Sequence, residues 1–192
     1  MKSTLFFLFL FMGSITVPNY GYVFYSSVDG DNDTNMIGQP APNFDLLDLD
    51  GERINLNSYK SKYLVIHIAT TWCPFCNAEA PYLEKLSQEY KTRNVNVLII
   101  DVKEPKELVQ SKLKEKHNIS FPILLDPDGK VAASYAPPDV LPDLARDEVM
   151  LASNLLIDPD GKIQFMSLLD SKNFDAKLVE LKKRLDALLD AD

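Results

Sequence analysis

Two nearly uninterrupted apolar runs constrain this chain more than any other feature: Leu64-Val65-Ile66-His67-Ile68-Ala69 and Val95-Asn96-Val97-Leu98-Ile99-Ile100. Short runs this rich in Val, Ile and Leu read as strands buried on both faces, which is how parallel strands are normally covered. Between them Cys76, Ala80, Leu83, Leu86 and Tyr90 recur at three- and four-residue spacing, which predicts a helix from about Pro74 to Tyr90. Pro81 falls inside it and is expected to kink it, because proline lacks one backbone donor and crowds the preceding turn. Parallel neighbours need a crossover of this kind, and such crossovers are right-handed.

The flanking segments extend the unit. Asp48-Leu49-Asp50-Gly51, Asp126-Pro127-Asp128-Gly129 and Asp158-Pro159-Asp160-Gly161 share one pattern. Asp at the first position and Gly at the fourth fit a type I turn, with Pro at the second position in two of them. They carry too few alternating oxygen ligands for a calcium loop. The first joins short strands near Phe44–Leu47 and Arg53–Leu56. The second follows a strand at Phe121–Leu125 and leads into a short helix around Val131–Tyr135. The third makes a hairpin of Leu155–Ile157 and Ile163–Met166. Helices are expected from about Pro105 to His117 and from Phe174 to Leu189. In the last, Phe174, Leu178, Leu181, Leu185 and Leu188 form one stripe, with Asn173 as its cap. The fold class is therefore α/β, a mixed central sheet flanked by helices. The proline-rich, acidic stretch 135–153 reads as an insertion, either a lid over the site or a long surface loop.

The N-terminus is of another kind. Lys2 precedes an apolar run from Leu5 to about Val17, interrupted at Pro18. A spanning helix needs roughly 20 apolar residues, and this run is shorter. Residues 1–25 read as a signal peptide or an N-terminal anchor, and 26–36, rich in Ser, Asp, Asn and Gly, as a linker. The expected location is outside the cytoplasm, in the periplasm if the source is bacterial, with membrane contact only through residues 1–25 if they stay attached. The formal net charge of −8 disfavours nucleic acid as a partner.

The chain has two cysteines, Cys73 and Cys76. A single close pair is no disulfide scaffold; it is redox-active or half of a metal site. Structural zinc takes four ligands, and only His67 and His117 could add to the pair; no metal and no cofactor is expected. Pro74 in the first helical turn costs no hydrogen bond and places Cys73 at the helix N-terminus. Free N–H groups and the positive end of the helix dipole favour a thiolate there. Cys73 is thus the candidate nucleophile, and Cys76, one turn deeper, the candidate resolving thiol. This reading requires two sulfurs close enough to bridge and within reach of a visiting protein.

The segment Trp72-Cys73-Pro74-Phe75-Cys76-Asn77-Ala78-Glu79-Ala80-Pro81 resembles the Trp-Cys-x-x-Cys-x-x-Glu-x-Pro signature of TlpA/ResA-like proteins, in the redoxin and AhpC/TSA grouping of the thioredoxin superfamily. Pro42-Asn43-Phe44 and Leu156-Ile157-Asp158 match that pattern too, and the likeness runs from about Ile37 to Leu189. It implies a thioredoxin-like domain over 37–192 with an N-terminal β-hairpin extension, and thiol–disulfide exchange with protein thiols or disulfides as partners. It also implies that Glu79 is an acid near the active site; if desolvated, it would hold a proton for Cys76. His67 stands where thioredoxin keeps a buried Asp, six residues before Cys73. It is either a proton partner of Cys76 or a core histidine satisfied by a hydrogen bond. Trp72, Pro74 and Phe75 are expected to meet the substrate, Trp72 by shielding the sulfurs and Phe75 as an exposed tip. Ala152 occupies the position at which the family carries a cis-proline. A cis bond before a non-proline residue costs about 3 kcal/mol, so Ala152 is expected to be trans.

Two other functions share the superfamily. A thiol peroxidase would use Pro-x-x-x-Thr-x-x-Cys; Thr70 fits, but Ile66 holds the proline position, and no arginine stands near Ala152. A copper carrier of the Sco type would use a wider cysteine spacing and a later histidine.

Overall fold

In the computed structural model, residues 36–191 are described; the segment read as signal peptide or anchor, and nearly all of the linker, lie outside them. Seven strands form one mixed sheet in the order β2-β1-β5-β4-β3-β6-β7. The centre is built by the two apolar runs, β3 (Tyr63–Ala69) and β4 (Val95–Val102), which pair in parallel. They are joined by α1 (Pro74–Glu89), which continues through Pro81. On one side β5 (Ile123–Asp126) runs parallel to β4, and the hairpin β1 (Asp45–Asp48) and β2 (Arg53–Asn55) extends the sheet antiparallel. On the other, β6 (Ser153–Ile157) lies antiparallel to β3 and is followed by β7 (Ile163–Ser167).

The alternation of side chains along β3 separates two cores. Val65 and Ala69 join Ala80, Leu83 and Leu86 of α1, Val109 and Leu113 of the second helix, and Leu181 and Leu185 of α5 (Val179–Leu189). Leu64, Ile66 and Ile68 face the opposite layer, with Ala132 of α3 (Lys130–Ser134), Tyr135 and Met150. All three Asp-x-x-Gly turns close as their sequence predicts: the N–H groups of Gly51, Gly129 and Gly161 donate to the carbonyls of Asp48, Asp126 and Asp158. At Gly129 glycine is needed twice over. Its φ is +73°, and a Cβ there would lie 2.8 Å from Lys103 Cε and 2.9 Å from Asp147 Oδ2.

The second helix covers its expected range, beginning as α2 (Lys106–Val109), widening into a π-helical stretch, Gln110–Glu115, and ending at His117. Two expectations about the last helix need correction. The last helix starts at Val179, not Phe174: Leu178 sits in a left-handed conformation, φ +58°, and breaks the helical path. The apolar spacing of Phe174 and Leu178 reflects separate contacts with the core, not one helical stripe. Asn173 caps nothing; its amide bonds Asp170, while Asp175 Oδ2 accepts the Glu180 N–H. The insertion 135–153 contains α4 (Arg146–Val149) and is tied together by Arg146, whose guanidinium donates to the carbonyls of Pro137, Val140 and Leu141. Its buried residues Tyr135 and Met150 pack in the core opposite α1, which favours the surface-loop reading over a lid on the cysteines.

Candidate active site

The turn between β3 and α1 delivers the cysteines as the sequence implies. Cys73 caps α1 with extended backbone angles, Pro74 follows in the first turn, and the Cys76 N–H donates to Cys73 Sγ at 3.2 Å. The two cysteines form a disulfide with a Cα–Cα separation of 5.3 Å, inside the range such bridges allow. Closeness is thus met. Accessibility is not met in this form: Cys73 is 3% exposed and Cys76 fully buried. The flanking residues are largely open to solvent: Trp72 is 68% exposed and Pro74 is exposed. Phe75 is half-buried, not a free tip; its ring packs edge-to-face on Phe174 at 4.8 Å.

Below the disulfide lies a buried polar chain. His67 faces α1 on the same side of β3 as Val65 and Ala69, and the register puts it opposite Asn154 of β6. Its Nδ1 donates to Asn154 Oδ1 at 2.9 Å, and Asn154 Nδ2 donates to Glu79 Oε1 at 3.0 Å. That direction follows from the amide: if its nitrogen serves Glu79, its oxygen must meet an N–H. Glu79 is 2% exposed, and burial pushes its pKa up to about 8. Burial pushes His67 down to about 4. Although His67 Nδ1 and Glu79 Oε2 lie 3.4 Å apart, both groups are neutral at pH 7, and the contact is no ion pair. His67 Nε2 and Glu79 Oε2 meet no hydrogen-bond partner.

Ala152 is trans, as expected, since the described residues contain no cis bond. It is buried in the same cluster as both cysteines, at φ +60°, and its N–H donates to the Ile68 carbonyl at 2.9 Å.

Sequence reading missed Asn154, Asp101 and Glu104. Asp101 ends the α1 face of β4 beside Ala69, fully buried, and burial followed by the nearby Glu104 carboxylate raises its pKa to about 8. Glu104 accepts from the Thr71 backbone N–H and from Thr71 Oγ1, the latter at 2.7 Å, so it holds the turn that leads to Cys73. A charged residue following a buried strand was the only available signal. Among the described residues no group of three or more His, Cys, Asp or Glu is placed to hold a metal ion.

Comparison with known proteins agrees with this geometry. A ResA thiol–disulfide oxidoreductase of Halalkalibacterium halodurans is 36% identical over 115 residues, 60% of this chain and 65% of that protein. The chain thus matches just under two thirds of that relative's length. The solution structure of a candidate protein disulfide isomerase from Bacteroides thetaiotaomicron superposes with a TM-score of 0.67 at 26% identity, covering 80% of this chain and 90% of that one. A secreted Mycobacterium tuberculosis disulfide oxidoreductase, described as homologous to DsbE of E. coli, gives 0.60 at 26% identity, covering 75% and 95%. The AhpC/TSA family model matches residues 37–166. With more than half of its length under that match, a thioredoxin-like sheet and a Cys-Pro-Phe-Cys disulfide at the head of α1, the chain belongs to the AhpC/TSA family.

Proposed function

We propose that this chain is a thiol–disulfide oxidoreductase that exchanges two electrons with protein thiols or disulfides through Cys73 and Cys76. The observation that carries the reading is the disulfide itself, formed at a helix N-terminus with a backbone N–H already directed at Cys73 Sγ. In the reducing direction, the Cys73 thiolate attacks one sulfur of a partner disulfide and the partner's other sulfur leaves as a thiolate. Cys76, once deprotonated, attacks Cys73 Sγ; the internal disulfide forms and the partner's second thiolate is released. Two electrons pass to the partner, and two protons follow them. The reverse sequence oxidises a partner dithiol.

Glu79 is the group assigned to the Cys76 proton: burial lifts its pKa to about 8, so the fraction ionised near that pH takes the proton and the protonated form returns it in the reverse direction. His67 acts through Asn154, which fixes the Glu79 carboxyl. Trp72 and Pro74 form the exposed rim that a partner meets; Phe75 and Ala152 back it from inside. Since Cys73 is only 3% exposed, exchange requires a local opening around it rather than an unfolding. An extracytoplasmic location is supported by the Lys2–Val17 segment and by the secreted Mycobacterium relative. Residues 1–25 are proposed as signal or anchor, 26–36 as linker and 37–192 as the catalytic domain; no helix of the described residues is long and apolar enough to cross a membrane.

The test is trapping. A Cys76→Ser variant incubated with a disulfide-bonded test protein should accumulate mixed disulfides attached at Cys73, identified by mass spectrometry. Adducts that form only through Cys76, in a Cys73→Ser variant, would reverse the assignment of roles.

A further inference from the structure

Asn77, directly after Cys76, is the best-connected side chain around the active-site turn. Its Nδ2 donates to the Thr71 carbonyl at 2.9 Å and to the Cys73 carbonyl at 2.8 Å. Its Oδ1 accepts from Lys116 Nζ at 2.8 Å and from His117 Nε2 at 2.9 Å. A carboxamide offers two donors and two acceptor positions, and here all are used. The orientation is therefore fixed: flipping the amide would face its NH2 to an ammonium and its oxygen to two carbonyls.

The two donors to Asn77 Oδ1 come from the end of the second helix. The π-helical stretch Gln110–Glu115 stands immediately before them. A π turn inserts one residue and rotates the rest of the helix by about 100° relative to a regular one. On the other flank Glu104 takes the Thr71 N–H and hydroxyl. The residue two before Cys73 is thus held by its N–H and hydroxyl from Glu104 and by its carbonyl from Asn77.

We infer that Asn77 is a positioning residue for Cys73: oriented by Lys116 and His117, it clamps the Thr71–Cys73 turn in the geometry in which Cys73 Sγ receives the Cys76 N–H and its thiolate is stabilised. This rests on Cys73 being the attacking sulfur. The titratable groups around the turn are Lys116 and His117, which reach it through Asn77, Glu104, which reaches it through Thr71, and Glu79, His67 and Asp101, buried between α1 and the sheet; burial followed by the neighbouring Lys116 charge lowers the His117 pKa, so His117 serves as a neutral N–H donor. Asn77 links the first two to the turn with no atom of its own on the reacting sulfurs.

The readout is the midpoint of the pH profile for alkylation of Cys73, measured with iodoacetamide on the full chain in a Cys76→Ser background. A midpoint reports thiolate stability and is insensitive to how fast the reagent enters. Asn77→Ala should raise the midpoint enough to lower the thiolate fraction at pH 7 roughly three- to tenfold. A Lys116→Ala/His117→Ala double variant leaves α1 intact and should move it in the same direction by less. An unchanged midpoint in folded Asn77→Ala protein overturns the inference. If that variant does not fold, the double variant decides by the same criterion. The measurement needs no partner, so its failure leaves the exchange reading standing; absence of Cys73-linked adducts in the trapping experiment removes that reading and leaves the midpoint readable.

Discussion

Glu79 shows how one side chain can be costly to the fold and useful to the chemistry. In the unfolded chain its pKa is 4.5; in the folded one burial holds it near 8. Between those values the unfolded chain has lost a proton that the folded chain keeps, so stability falls as pH rises through the window and levels off above it. At pH 7 the cost is of order 3 kcal/mol. Gln cannot ionise and can still accept from Asn154. Relative to wild type, Glu79→Gln should therefore gain roughly 2–3 kcal/mol in denaturant stability between pH 5 and pH 7, while internal disulfide formation after attack slows. Parallel stability profiles for the two proteins would mean that Glu79 titrates as an ordinary surface carboxyl. The position of Glu79, on the Cys76 side of α1, could be read from spacing. Its partner could not. His67 and Asn154 are 87 residues apart, and only the antiparallel register of β3 and β6 makes them neighbours.

At the scale of elements, local chemistry was the legible part. Asp and Gly at fixed offsets marked the three turns, and two apolar runs marked the central strands, because each signal is complete within a few residues. The start of α5 was misread because Phe174 and Leu178 are apolar at helical spacing for unrelated reasons, one meeting Phe75 and the other turning the chain at positive φ. The π-helical stretch left no trace in the apolar pattern, since Val109 and Leu113 remain four apart and buried in either geometry. The approach to β6 carries a prediction of its own. Ala152 uses a left-handed conformation and gives its N–H to Ile68; proline can do neither. Ala152→Pro should lose about 3 kcal/mol or more of stability, whereas Ala152→Gly should be neutral or gain up to about 1 kcal/mol. Wild-type stability in the proline variant, read from denaturant midpoints, would show that the chain can adopt the cis-proline arrangement that the family resemblance implies.

Over the whole molecule, the sheet does one job for the site. Parallel β3 and β4 bring the Cys73 turn, Asp101 and Glu104 to the same edge, while antiparallel β6 brings Ala152 and Asn154 beneath α1. Helices cover both faces, so the disulfide is buried in the core on the α1 side of the sheet, beside the exposed Trp72 and Pro74. The net charge of −8 for the full chain disfavours nucleic acid and selects no partner by itself. Every role assigned to these parts requires that Cys73 and Cys76 interconvert between dithiol and disulfide as a unit. Equilibrating the full chain across a series of reduced-to-oxidised glutathione ratios, then trapping free thiols and weighing the products, tests this directly. The expected result is one reversible transition in which both cysteines are free or both are joined. A pair that never re-forms, or that ends as a glutathione adduct on one sulfur without the internal bridge, would contradict it.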